Sequence, residues 1–241
     1  MEAKIFCVGL SRTGTTSLCE ALNLLNIKTI HYPSSLFVHP EILDKSLSFV
    51  PKKKRNFLQK LNLEAELEKR DIKHAENTLN EYTGFADLPV PLFYKELDKK
   101  YPHSKFILTI RDEEKWLSSM KWMLSDGKYL WRFNELDDEI LLSQYGTTTY
   151  DRNKLLNTFL AHNSKVMNYF LGRGKDFLLM DLEKRELNFE SICNFLGLQT
   201  PNIQFPHTNS PKESSALSRI KYWIIRRSPF YIYKSLKSRW K

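Results

Sequence analysis

Cysteine is scarce in this chain. The three present, Cys7, Cys19 and Cys193, are scattered through apolar stretches, which excludes a disulfide framework and a cysteine-based zinc site. They read as small core residues in a reducing compartment. No apolar run approaches the roughly 20 residues needed to cross a bilayer, and the N-terminus passes directly into a β-rich segment without a signal-peptide pattern. The expected location is therefore cytoplasmic. No His/Asp/Glu cluster has ligand spacing, so no metal is expected. Low-complexity and collagen-like compositions are absent too. With 241 residues, 41% of them hydrophobic, the chain can bury one full core, and a single α/β domain is the default.

Acidic residues are missing from one region in particular. From Leu217 to the end the chain carries Arg219, Lys221, Arg226, Arg227, Lys234, Lys237, Arg239 and Lys241 and no acid; taking those eight from the net charge of +9 leaves +1 for everything before them. The body is nearly neutral, so the overall charge gives no support to a nucleic-acid partner. The basic stretch interleaves Trp223, Phe230, Tyr231, Tyr233 and Trp240 with its cations, and Pro229 divides it. Residues 217–241 thus have the chemistry of a peripheral membrane contact, with aromatics at the headgroup boundary and cations on anionic lipid; packing of the aromatics on the body is the equal alternative. Lys52-Lys53-Lys54-Arg55 reads as a solvated turn beside a helix.

Along the body, strand patterns alternate with helical ones. Lys4–Gly9, Gly84–Asp87, Lys105–Ile110 and Asp176–Met180 read as strands. Helical spacing follows at Ser17–Leu25, in PLFYKELDKK, after Asp112-Glu113-Glu114, and in NFESICNFLG, where Gly197 supplies the stop. Residues 34–83 and 120–170 read as mostly helical. This alternation implies a three-layer α/β fold with a central parallel sheet flanked by helices, helical insertions capping the acceptor side.

Gly9-Leu10-Ser11-Arg12-Thr13-Gly14-Thr15-Thr16 follows the first strand and opens a helix, which is the setting of a phosphate loop. The glycines let successive N–H groups turn inward, the helix start adds positive potential, and hydroxyls at Thr13, Thr15, Thr16 and Ser17 add donors. The segment therefore implies a phosphorylated nucleotide. A nucleoside-triphosphatase loop would carry lysine where this chain has Thr15; the cation here is Arg12.

At this point the chain resembles the sulfotransferase family, whose phosphosulfate loop, (Lys/Arg)-(Ser/Thr)-Gly-Thr-(Thr/Ser), is matched by Arg12-Thr13-Gly14-Thr15-Thr16. A second match is the strand KFILTI running into Arg111, with Ser119 eight residues later, where that family binds a 3′-phosphate. A forked guanidinium and a neutral hydroxyl suit phosphate oxygens. FADLPVPLFYKEL and the Phe-Pro-His-x-Asn segment beginning at Phe205 are similar to one branch of small sulfotransferases. The resemblance spans about residues 4–210. It implies a P-loop domain over 1–213 with a tail over 214–241, and transfer of a sulfuryl group from 3′-phosphoadenylyl sulfate to a small-molecule, lipid or glycan acceptor. Its alternatives are a P-loop kinase or a non-catalytic nucleotide-binding protein.

The same resemblance implies roles. Arg12 would be the cation at the leaving oxygen, while Ser11, Thr13, Gly14, Thr15, Thr16 and Ser17 would cradle the donor and Arg111 and Ser119 its 3′-phosphate. Cytosolic relatives carry a catalytic histidine in Lys-Thr-His-Leu-Pro; here Phe85-Ala86-Asp87-Leu88-Pro89 takes that place, so Asp87 is the expected base. A free aspartate titrates near 3.9, and the role would need burial or tight geometry. His31, in KTIHYP, is its rival. The Arg-Lys-Gly segment that closes over the 3′-phosphate in cytosolic members is missing, leaving Lys212 or Arg219 as substitutes, or a more open site.

Overall fold

Residues 3–38, 72–125 and 135–207 are described by the computed structural model. The Lys52–Arg55 cluster, Lys212, Arg219 and the stretch 214–241 lie outside them. The chain divides into a unit over residues 1–206 and a second from His207 to Lys241, of which His207 alone is described.

In the first unit, five parallel strands form one sheet. They are β1 (Ile5–Cys7), β2 (Thr29–His31), β3 (Gly84–Ala86), β4 (Lys105–Ile110) and β5 (Phe177–Asp181), in the order β2-β3-β1-β4-β5. The helices between them are α1 (Thr15–Leu24), α2 (Ile72–Glu81), α3 (Tyr94–Lys100), α4 (Glu113–Leu124), α5 (Glu135–Tyr145), α6 (Arg152–Tyr169) and α7 (Phe189–Leu196), with 3-10 turns at Ser34–Val38 and Val90–Leu92. Four strands are expected from the sequence. The fifth, β2, is three residues long with a polar residue at each end, too short for a periodic signal.

Successive side chains on the strands point to opposite faces, and both faces are covered. Ile5, Cys7, Ala86, Ile107 and Met180 face α1 and α7 through Leu18, Leu22, Phe189 and Ile192. Phe6, Val8, Phe85, Phe106 and Leu108 face the other way, against Leu97, Trp116, Phe159 and Phe170. Register stacks the aromatics on that second face. Phe6 lies opposite both Phe85 and Phe106, with ring centroids 5.5 and 5.4 Å apart. All three cysteines are buried and unpaired.

Helix starts follow local capping chemistry. Asp112 accepts from the N–H of Lys115 at 2.9 Å, Asp151 from Lys154 at 3.1 Å and Asn188 from Ser191 at 2.8 Å. Gly197, at φ 69°, ends α7 in the left-handed conformation that glycine adopts without steric cost. The start of α1 is different. It begins on Gly14, at φ 89°, with no side-chain cap. Among the described residues no helix is long and apolar enough to cross a membrane.

Candidate active site

The residues singled out in the sequence collect at the carboxyl edge of the sheet. The phosphate loop follows β1, His31 is the last residue of β2, Asp87 comes directly after β3, and Arg111 directly after β4. In open parallel sheets this edge, where strand order reverses, is where ligands bind. The reversal here is at β1, whose neighbours are β3 and β4.

The loop is held by close packing. A Cβ on Gly9 would lie 2.1 Å from Thr109 Oγ1 and 2.8 Å from the Thr109 carbonyl oxygen, so only glycine lets the loop pass β4 at that distance. Thr13 is fully buried; its hydroxyl donates to the Leu10 carbonyl at 2.6 Å and lies 2.7 Å from Thr109 Oγ1. That hydroxyl acts as a strut within the loop. The Ser11 carbonyl accepts from Trp116 Nε1–H at 2.9 Å and the Ser11 N–H donates to the Tyr145 hydroxyl oxygen at 3.2 Å. Neither aromatic is legible as a loop clamp beforehand, since each reads simply as a core residue of its helix. Arg12 adopts φ 72°, a left-handed conformation that is strained for a side-chain-bearing residue.

Two clusters flank the loop. On the α4 side, Arg12 Nε donates to Ser119 Oγ at 2.8 Å, its guanidinium lies 5.4 Å from the centroid of the Trp122 ring, and Arg111 Nη1 donates to the Arg12 carbonyl at 3.1 Å. Arg111 Nε is buried with no hydrogen-bond partner among the described residues. On the β2–β3 side, Asp87 Oδ1 accepts from Ser11 Oγ at 2.5 Å and from the Leu88 N–H at 2.8 Å, while Asp87 Oδ2 lies 3.1 Å from His31 Nε2. That same ring nitrogen is 3.2 Å from Thr16 Oγ1 and 3.4 Å from Thr15 Oγ1. Asp87 also has positive φ, at 68°. Ser17 is buried in the first turn of α1.

The electrostatics of the second cluster follow from these contacts. Burial alone would raise the Asp87 carboxyl, but the His31 ring, the Ser11 hydroxyl and the Leu88 N–H all favour the carboxylate and carry it below the ordinary aspartate value. Burial works against a charged His31, yet the adjacent carboxylate outweighs it and makes the ring more basic than a free imidazole. Tyr32, next along the chain, donates its hydroxyl to the buried Asp137 Oδ1 at 2.8 Å, and burial followed by that carboxylate raises its phenol.

Residues 4–214 match the family described as "Sulfotransferase domain". The chain belongs to the sulfotransferase family. Ava biosynthesis cluster protein M of Aspergillus versicolor is similar to this sulfotransferase, with 25% identity over 240 residues, 91% of this chain and 86% of that protein. Among solved structures, a sulfotransferase from Alicyclobacillus acidocaldarius matches at a TM-score of 0.46 and 15% identity, covering 91% of each chain. Mouse sulfotransferase SULT7A1 complexed with PAP also matches at 0.46 and 15%, over 92% of this chain and 66% of its own. Among the described residues of the sulfotransferase, no group of three or more His, Cys, Asp or Glu side chains is arranged to hold a metal ion.

Proposed function

We propose that this sulfotransferase takes its sulfuryl group from 3′-phosphoadenylyl sulfate and delivers it to a hydroxyl or amine of an acceptor. The observation that carries this reading is the meeting of Arg12, Arg111 and Ser119: the cation of the phosphate loop touches both members of the strand-Arg-x₇-Ser pair. A triphosphate site needs no such second cluster, whereas a nucleotide with phosphates at two positions does. Arg111 Nε adds to the fit, because a cationic N–H out of water without an acceptor is costly and an anionic ligand would relieve it.

The N–H groups opening α1, with Ser11, Gly14, Thr15, Thr16 and Ser17, would hold the phosphosulfate; Arg111 and Ser119 would hold the 3′-phosphate. Thr13 would contribute by keeping the loop in shape. When bound, the donor supplies an activated sulfuryl group. Arg12 and the helix N-terminus would then present positive potential to the phosphate oxygen from which that group departs. His31 and Asp87 stand beside Thr15 and Thr16, within reach of the same end of the loop.

Incubation with donor labelled at sulfur and a cell extract tests the reading and captures the acceptor. Label moving into an extract component is the expected result. Intact donor recovered with no labelled product would overturn it.

A further inference from the structure

We infer that His31 is the group that accepts the acceptor's proton and that Asp87 is its positioning partner, so that the base is set at the end of β2 and its orienting carboxylate after β3. This rests on the sulfuryl-transfer reading above and divides the labour between two residues of that site. Three observations carry it. First, every face of the Asp87 carboxylate is engaged: Oδ1 by Ser11 Oγ and the Leu88 N–H, Oδ2 by His31. A carboxylate accepting several hydrogen bonds is weakly basic and held in place. Second, the side chain of His31 is 32% exposed and that of Asp87 only 11%, so an acceptor can reach the ring but not the carboxylate. Third, His31 Nε2 lies at the hydroxyls of Thr15 and Thr16, which ties the ring to the phosphate loop.

Register makes the pairing. His31 lies opposite Ala86 on adjacent parallel strands, so the residue after Ala86 emerges beside the ring. The tautomer that satisfies Asp87 carries its proton on Nε2, which leaves the lone pair on Nδ1. In the step, Nδ1 takes the proton from the acceptor O–H or N–H. The electron pair of that broken bond stays on the acceptor heteroatom, which forms the bond to sulfur. The sulfur–oxygen bond of the phosphosulfate breaks with its pair on the phosphate oxygen. Asp87 remains ionised and offsets the charge gained by the ring, and it takes no proton itself.

The other titratable groups whose fields reach Asp87 are Tyr32 beyond β2, Tyr145 from α5 and Cys19 from α1. Burial first raises all three; Asp87 comes next for Tyr145 and for Cys19, which rises to about 11, while for Tyr32 Asp137 precedes it. They stay protonated through the neutral range. Among these groups, a titration near neutrality therefore belongs to the His31 ring.

The test uses the full chain and two variants, His31→Gln and Asp87→Asn. Ring-proton NMR of the ligand-free protein should place His31 above the ordinary imidazole value of about 6.5, and Asp87→Asn should bring it down. The labelled-transfer rate should rise as pH passes up through that value, with the inflection moved down in Asp87→Asn. Each variant should lose about a hundredfold or more in transfer, the usual worth of a general base, while binding adenosine 3′,5′-bisphosphate as the wild type does. Transfer within a few-fold of wild type in His31→Gln would overturn the assignment, as would a His31 titration unchanged by Asp87→Asn. Failure of the wild type to bind the bisphosphate would instead remove the donor reading. Should Asp87→Asn not fold, His31→Gln, at a partly exposed ring, still decides.

Discussion

Arg12 Nε and Ser119 Oγ are 2.8 Å apart although 107 residues separate them in the chain. The bond joins the phosphate loop to α4, and the hydrogen bond from Arg111 to the Arg12 carbonyl joins the same loop to the end of β4. On the proposed reading, donors for two separated phosphates are thereby built into one surface at the carboxyl edge of the sheet. The Trp122 ring beside the Arg12 guanidinium limits where that long side chain can swing.

Ser119→Ala removes a hydroxyl that serves both Arg12 and, on the proposed reading, the 3′-phosphate. Hydrogen bonds to charged groups contribute about 1.5–3 kcal/mol, so affinity for adenosine 3′,5′-bisphosphate should fall about tenfold or more. Adenosine 5′-monophosphate, which lacks the 3′ group, should lose much less. Titration calorimetry with both ligands checks this, and equal losses would place Ser119 away from the 3′-phosphate.

Gly9→Ala should weaken the whole domain through a clash with β4. The added methyl would meet the Thr109 hydroxyl and, less avoidably, its backbone carbonyl. Overpacking of this kind costs about 1–3 kcal/mol. A denaturant midpoint lowered with an unchanged slope is the expected outcome; a midpoint equal to wild type would mean that the loop and β4 do not approach as described.

The parallel sheet, the loop and the Arg111/Ser119 spacing were legible because each is written in contiguous or near-contiguous residues. KFILTI is a buried strand whatever surrounds it, and glycines flanking a hydroxyl-rich turn between strand and helix have few other uses. What was not legible depends on register between strands distant in sequence. β2 has three residues, too few for a periodic signal, so its place beside β3 could not be read. Without that neighbour relation, His31 and Asp87 look like competitors for one role, whereas the register His31 to Ala86 makes them a contacting pair. Thr13 reads as a ligand hydroxyl in the motif, yet its hydroxyl is taken up by Leu10 and Thr109, because the loop curls more tightly than spacing alone implies.

His162 gives a pH dependence of stability separate from the active-site pair. Burial lowers its pKa to about 4, while its Nε2–H donates to the Val8 carbonyl at 2.8 Å. In the unfolded chain the ring takes a proton below about 6.5, and in the folded one only below about 4. The unfolded state therefore binds more protons in that window, and stability falls as pH drops from about 6.5 to 4, by on the order of 3 kcal/mol from this group. Carboxylates titrate there too, so the comparison is with His162→Gln. That variant should be less stable at pH 7 but show a flatter decline on acidification, followed by urea unfolding across the range. Parallel declines would show that His162 is protonated without penalty in the folded state.

The donor is the centre of this account, and titration calorimetry of the full chain with adenosine 3′,5′-bisphosphate, against ATP with magnesium, tests it most directly. The clusters around Arg12 and Arg111 predict saturable binding of the bisphosphate, reduced in Arg111→Ala, and much weaker binding of ATP. Tight magnesium-dependent binding of ATP with none of the bisphosphate would contradict it.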